Sequence, residues 1–283
     1  RVSLLAEAAR LAEHELGQPT QAIQLWESHV AIAPDNPDGY VALANLYGQL
    51  DDLSGIATAL EGQLRLARDQ SERVDLLRRL GDHYARRLDQ DEQAEECWKR
   101  ILALDPGDLP TREELTELHR RRGDFESLNS SLLRQIWLTT DEERAEKLCR
   151  LAAENLDENF DEPARSVEAW RRVLDFKPLD KQALAQLARH YATLDNKREL
   201  IAILEQQIRA EHLTEERVKL AMQVATLWEA EEVPKAAAAT YERVLRWDPT
   251  HRAALEALVR IYREHEQRGK ALGVLDHAGG LVE

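Results

Sequence analysis

Cysteine occurs twice in this 283-residue chain, methionine once and phenylalanine three times. Two cysteines cannot build a disulfide framework or an all-cysteine zinc site. No apolar run approaches the roughly 20 residues that a membrane-spanning helix needs, so no membrane partner is expected. The nine histidines include no i, i+4 pair, and His14-Glu15 lacks the second histidine that a helical zinc site requires. Glycine-rich nucleotide loops, the P-loop and the G-x-S-x-G elbow are missing too. The chain therefore reads as not an enzyme, with no metal and no cofactor. Positive charge is also short: the net charge is −15, which opposes general phosphate binding and argues against a nucleic-acid partner.

What the sequence has in abundance is internal repetition. Trp26, Trp98, Trp170 and Tyr241 recur at a near-constant interval of about 72 residues. Each stands eight positions before a proline: Pro34, Pro106, Pro178 and Pro249. Midway between them, Leu43-Ala44-Asn45-Leu46-Tyr47 recurs as Leu115–His119, Leu187–Tyr191 and Leu258–Tyr262. A third landmark, an arginine followed eight positions later by a small residue, pairs Arg1 with Ala9, Arg73 with Gly81, Arg144 with Ala152 and Arg217 with Ala225. The period is thus a double unit, each half about 35 residues long, and a period of that size signals a stacked repeat.

Each unit reads as two helices. Apolar residues recur at three- and four-residue spacing, with almost no alternation. Turn signals fall regularly: Gly17-Gln18-Pro19, Asp51-Asp52, Asp89-Gln90-Asp91, Gly123-Asp124, Asp161-Glu162-Pro163, Asp195-Asn196, Glu232-Val233-Pro234 and Gln267-Arg268-Gly269. Thr140 and Glu143 fit a capping box, and the four prolines stop the second helix of each odd unit. Small residues face the partner helix, where bulk would separate the axes, and the aromatics fill the core.

These residues resemble the tetratricopeptide repeat, a helix–turn–helix unit of about 34 residues. The odd units keep its second-helix half (Ala22/Trp26/Pro34, Ala94/Trp98/Pro106, Ser166/Trp170/Pro178, Ala237/Tyr241/Pro249). The even units keep its first-helix half, best in Leu43/Ala44/Tyr47 and Leu187/Ala188/Tyr191. They depart on the second helix, where Leu60, Leu132, Leu204 and Leu275 replace the aromatic. The resemblance implies an all-α fold, an α/α solenoid in which stacked helix–turn–helix repeats form a right-handed superhelix. It covers residues 1–283 as one array of eight units: 1–36, 37–72, 73–108, 109–142, 143–180, 181–214, 215–250 and 251–283. Because the chain opens inside a first helix at Arg1 and closes on the weak segment from Gly273 to Glu283, with Gly279-Gly280, it reads as a section of a longer array.

The resemblance also implies a groove lined by the residue after each small first-helix position: Arg10, Asn45, Asp82, Glu117, Ala153, Arg189, Thr226 and Arg260. Arg78, Glu113, Arg120, Glu229, Glu256 and Arg263 lie one turn away on the same face. From these, Asn45, Arg78, Asp82, Glu117, Arg120, Arg189 and Arg260 are the candidate partner-binding residues on the concave face. Only Asn45 resembles the carboxylate clamp of chaperone-binding members. A solvated face with no ligand remains the competing reading. Trp137 stands where the repeat elsewhere carries Arg65 and Arg209, so it is either an exposed aromatic anchor or packed under the next loop. His83, His119, His190, Cys97 and Cys149 read as packing residues.

The resemblance implies a scaffold that grips a protein or peptide. Net charge is −7 over residues 1–72, −4 over 73–144, −4 over 145–216 and 0 over 217–283, so the acidic first quarter favours a basic partner. The rival reading is a regulatory array attached to an enzyme or effector domain outside this stretch. RNA binding by helical repeats would need a basic groove, which the charge opposes. The compartment stays open, with the cytoplasm favoured, and arginine's excess over lysine hints at a GC-rich, bacterial genome.

Overall fold

A computed structural model describes residues 1–279. Among these residues there are sixteen α-helices, one π-helical turn and no strand. They pair as eight hairpins: α1 (Val2–His14) with α2 (Pro19–Ile32), α3 (Pro37–Gln49) with α4 (Leu53–Leu66), α5 (Gln70–His83) with α6 (Asp91–Leu104), and α7 (Leu109–Arg122) with α8 (Phe125–Leu138). The other four are α9 (Glu142–Asn159) with α10 (Pro163–Phe176), α11 (Lys181–Thr193) with α12 (Lys197–Ala210), α13 (Thr214–Ala230) with α14 (Pro234–Trp247), and α15 (Arg252–Glu264) with α16 (Arg268–Gly279). The chain divides into two compact halves, Arg1–Leu138 and Thr139–Glu283. Leu275's side chain and Gly280 lie outside the described residues.

Punctuation follows simple backbone chemistry. In seven of the eight hairpins the turn contains one left-handed residue: Gly17, Asp51, Asp89, Gly123, Asp195, Glu232 or Glu266. Glycine enters this region freely and aspartate tolerates it through its short polar side chain. The fifth hairpin differs, because α9 runs on to Asn159 and leaves through extended Phe160. At each of the four prolines the helix stops two residues earlier, at Ile32, Leu104, Phe176 and Trp247. The intervening residue has φ between −127° and −135° and ψ between 70° and 94°, outside the helical region that steric conflict with a following proline ring disfavours.

Caps correct two sequence expectations. Helix α9 is capped by Asp141, whose carboxylate accepts from the Glu143 and Arg144 N–H groups at 3.0 and 3.3 Å, and not by Thr140. The last turn pivots on Glu266, so Arg268 and Gly269 already belong to α16. A regular cap went unread: two residues after each proline stands an N-cap, Asn36, Asp108, Asp180 or His251. Three of these accept an amide proton from their own helix. Asp108 spends its carboxylate on the Thr111 hydroxyl and on Arg78 instead. The π turn at Tyr84–Leu88, continuing α5, was also unforeseen.

The core aromatics lie where the period puts them. Trp26, Trp98, Trp170 and Tyr241 are all at most 2% exposed, and small residues make room for them. Ala9, Ala152 and Ala225 are buried, and a Cβ on Gly81 would stand 2.6 Å from Trp98 Nε1. The second hairpin reverses the arrangement: Tyr40 and Tyr47 on α3 seat against Gly62 and Gly55 on α4, where a Cβ would collide with the rings. Leu60, Leu132 and Leu204 are buried too, as are Cys97 and Cys149.

Trp98→Ala and Trp170→Ala should each lose about 3–5 kcal/mol of unfolding free energy in urea titrations, the usual cost of truncating a buried aromatic. Parent-like midpoints would remove these rings from the core. His119 is 6% exposed, and burial pushes its imidazole below the ordinary 6.5 despite Glu95 and Asp124 nearby. A lowered folded value means that the unfolded chain binds the proton more readily, so this contribution is intact above pH 6.5 and declines as pH falls below it. His119→Gln should accordingly lose less stability than the parent between pH 7.5 and 5.5, and parallel losses would contradict that.

Candidate functional site

The exposed face of the first helices carries the candidate residues, and most are paired within the molecule. In the first half of the chain, Asn45 is exposed on α3. Arg78 on α5 reaches the α7 cap, 2.9 Å from Asp108, and lies 3.8 Å from Asp75. Asp82 stands 3.4 Å from Arg86, which also spans to Glu114 on α7 at 2.7 Å. Glu117 and Arg120 pair with each other at 2.7 Å. These candidates thus form separate local pairs, and no converging pocket joins them among the described residues. Ala153, in the same series, is buried and presents no side chain to solvent.

In the second half, Arg189 and Arg260 do equivalent work one period apart. Asp157, near the end of α9, is 8% exposed at its side chain. It accepts from Trp170 Nε1 at 2.8 Å, lies 2.7 Å from His190 Nε2, and sits 3.2 Å from the Arg189 guanidinium. Glu229, near the end of α13, accepts from the Tyr241 hydroxyl and from Arg260, both at 2.6 Å. Each carboxylate therefore ties the core aromatic of its own hairpin to the first helix of the next. The Glu229 carboxylate raises the Arg260 pKa, while burial and the same carboxylate push the Tyr241 phenol up.

A second cross-link follows the period in both halves. Arg150 on α9 bonds Asp180, the α11 cap, at 2.8 Å, as Arg78 bonds Asp108. Arg150 and Lys177 also converge on buried Glu146 at 2.6 and 2.9 Å. Lys177 and Arg150 together hold the Glu146 carboxyl below its ordinary value against the opposing effect of burial. The signal was present: Arg78 and Arg150, like Asp108 and Asp180, are one full period apart. A further contact joins the residue after three of the four core aromatics to the next first helix, the exception being Lys99, which pairs with Glu95 on its own helix. Glu27 accepts from Tyr47 and Glu242 from Tyr262, whereas Arg171 stacks over the Tyr191 ring.

Trp137, on the last turn of α8, is 72% exposed and lies beneath the Arg134 guanidinium at 4.7 Å. The ring is thus exposed and not packed under the next loop. Among the described residues, no group of three or more His, Cys, Asp or Glu side chains could hold a metal ion. No described helix is long and apolar enough to cross a membrane.

Solved structures similar to this chain include tetratricopeptide-repeat proteins. A tetratricopeptide repeat protein from Parabacteroides merdae is 14% identical, with 91% of this chain and 97% of that one covered and a TM-score of 0.37. The C-terminal part of a TPR repeat-containing protein from Cytophaga hutchinsonii is 16% identical over 91% of this chain and 99% of that one, again at 0.37. Naa15/Naa10 bound to HypK-THB gives 14% identity over 92% and 39%, with a TM-score of 0.47. No family sequence pattern matches the chain, and no curated protein matches it. The eight consecutive helical hairpins are consistent with the tetratricopeptide repeat.

Removing the Tyr241 hydroxyl by Tyr241→Phe should cost about 1.5–3 kcal/mol, the worth of a hydrogen bond to a charged group. Arg260→Ala, which removes a half-exposed partner of the same carboxylate, should cost under about 1 kcal/mol. Chemical denaturation of both variants checks the order, and a larger loss from Arg260→Ala would reverse the assignment.

Proposed function

We propose that this chain is a non-catalytic interaction scaffold that holds a protein or peptide on the exposed face of its first helices. The observation supporting this reading is the division of labour inside each double unit. Aromatic and small residues are consumed by the core, while charged side chains such as Arg78, Glu117, Arg189 and Arg260 stand on the surface in fixed pairs. A paired arginine keeps its position without being withdrawn from solvent: Arg189 and Arg260 remain 58% and 52% exposed at their side chains. Such groups offer a partner preoriented charge, which favours selective recognition over raw affinity.

Two features refine the partner. Residues 1–72 carry net −7, which draws a basic surface toward the first two hairpins. Trp137 adds a large aromatic surface of the kind that anchors interfaces when a partner desolvates it. Both belong to the first half of the chain and are read there alone.

Affinity capture from the native source, followed by mass spectrometry, should recover a specific protein partner. Arg189→Glu with Arg260→Glu, and separately Trp137→Ala, should weaken its binding at least tenfold with helicity unchanged. Undiminished binding by all these variants would remove the first-helix face and Trp137 from the interface.

A further inference from the structure

The two halves of the chain contain the same groove in two states. In each, two second helices flank an intervening first helix: α4 and α6 over α5, and α12 and α14 over α13. Residues correspond across the groove by the repeat, Glu61 to Glu205, Arg73 to Arg217, Arg100 to Arg243 and Leu104 to Trp247.

In the second half the groove is filled by the chain's own side chains. Arg243 forks onto Glu205 with two bonds of 2.6 and 2.8 Å that clamp α14 to α12. Trp247 lies under two guanidinium groups, Arg217 at 4.3 Å and Arg243 at 5.6 Å from the ring centre. A planar bidentate pair of this kind is the geometrically specific form of an ion pair, and the arginine–tryptophan stack adds cation–π attraction.

In the first half the same positions are open. Tyr84, in the π turn, donates its hydroxyl to Glu61 at 2.7 Å, and among the described residues Arg100 has no ion-pair partner. Leu104 leaves empty the space that an indole fills in the other half. Between α4 and α6 lies a cleft of about 750 Å³ reaching from Glu92 and Glu96 to Arg65 and Arg100. It continues over Leu64, Leu77 and Leu104, between Arg73 and Arg100, as a cavity of about 400 Å³.

We propose that this open groove is a peptide-docking site, and that its ligand is a segment of a partner protein carrying an aromatic residue close to an aspartate or glutamate. The carboxylate takes the place on Arg100 that Glu205 holds on Arg243. The aromatic ring enters between Arg73 and Arg100 over Leu104, as Trp247 does between Arg217 and Arg243. Glu92 and Glu96, at the other end of the cleft and without an ion pair among the described residues, favour a basic residue there and give the segment a direction. The groove is walled by second helices with Arg73 and Leu77 of α5 between them, and none of the candidate scaffold-face residues lines it; this inference rests on the reading of the chain as a scaffold.

The test is a display library of random dodecapeptides selected on the whole chain. Enriched sequences should place Trp, Tyr or Phe within a few residues of Asp or Glu. Their affinity should fall at least tenfold for Arg100→Glu, an exposed change, and for Leu104→Trp, which fills the cavity as the second half does. Circular dichroism confirms that each variant folds, and Arg100→Glu decides the matter if Leu104→Trp does not. Enriched peptides that bind Arg100→Glu as tightly as the parent would overturn the proposal, as would a selection that enriches nothing. Peptides lost instead on Arg189→Glu with Arg260→Glu would overturn the groove while supporting the first-helix face.

Discussion

The odd hairpins and the second depend on one contact: a large ring on one helix lying against a residue with little or no side chain on the other. In the third hairpin the ring is Trp98 and the seat is Gly81; in the second, Tyr40 lies on Gly62 with the helices exchanged. Helix axes pack about 8–10 Å apart according to the bulk at the contact, so the seat sets how closely the two helices approach. Once that distance is set, the apolar residues three and four positions away meet the neighbouring hairpin. An isolated hairpin cannot bury that second face, which is why such repeats stack.

The polar groups are arranged around the same contact. Asp157 and Glu229 satisfy the polar tips of Trp170 and Tyr241 and then collect Arg189 and Arg260 from the following first helix. A buried polar atom without a partner is costly, so the ring that builds the hairpin also calls for the carboxylate that ties hairpins together. Where the ring's polar edge is met differently the lattice changes: Trp98 has Ala85 at the position that Asp157 holds for Trp170, and the Trp26 indole N–H has no partner among the described residues. The open groove between α4 and α6 is a related substitution, since Tyr84 occupies Glu61 and leaves Arg100 to solvent.

Much of the fold was legible because the period repeats four times. Four aromatics at near-equal spacing located the cores, and four prolines located helix ends to within two residues. The α9 cap was misread because Thr140 and Asp141 are both good caps, and only the backbone path decides between them. The π turn left no mark in the pattern, since Tyr84 to Leu88 keeps an ordinary helical mixture of residues. The candidate surface was legible only in part. Exposure of Asn45, Glu117, Arg189 and Arg260 follows from helical position, but the partners of the charged ones lie in a neighbouring hairpin or one turn along. Those partnerships depend on which rotamer a long side chain adopts, and periodicity does not carry that information. The recurrence of Arg78–Asp108 as Arg150–Asp180, and of Asp157–Arg189 as Glu229–Arg260, is a pairing that spacing alone could have exposed.

The dependence on ring and seat is tested most directly by a double-mutant cycle on Gly81 and Trp98, with unfolding free energies from urea titration. Gly81→Ala alone should destabilise, because its Cβ would meet the indole. In a Trp98→Leu background the same change should be neutral or stabilising, since alanine is favoured over glycine in a helix by about 1 kcal/mol. A coupling of at least about 1 kcal/mol between the two positions is the predicted result. Additive effects would contradict the account.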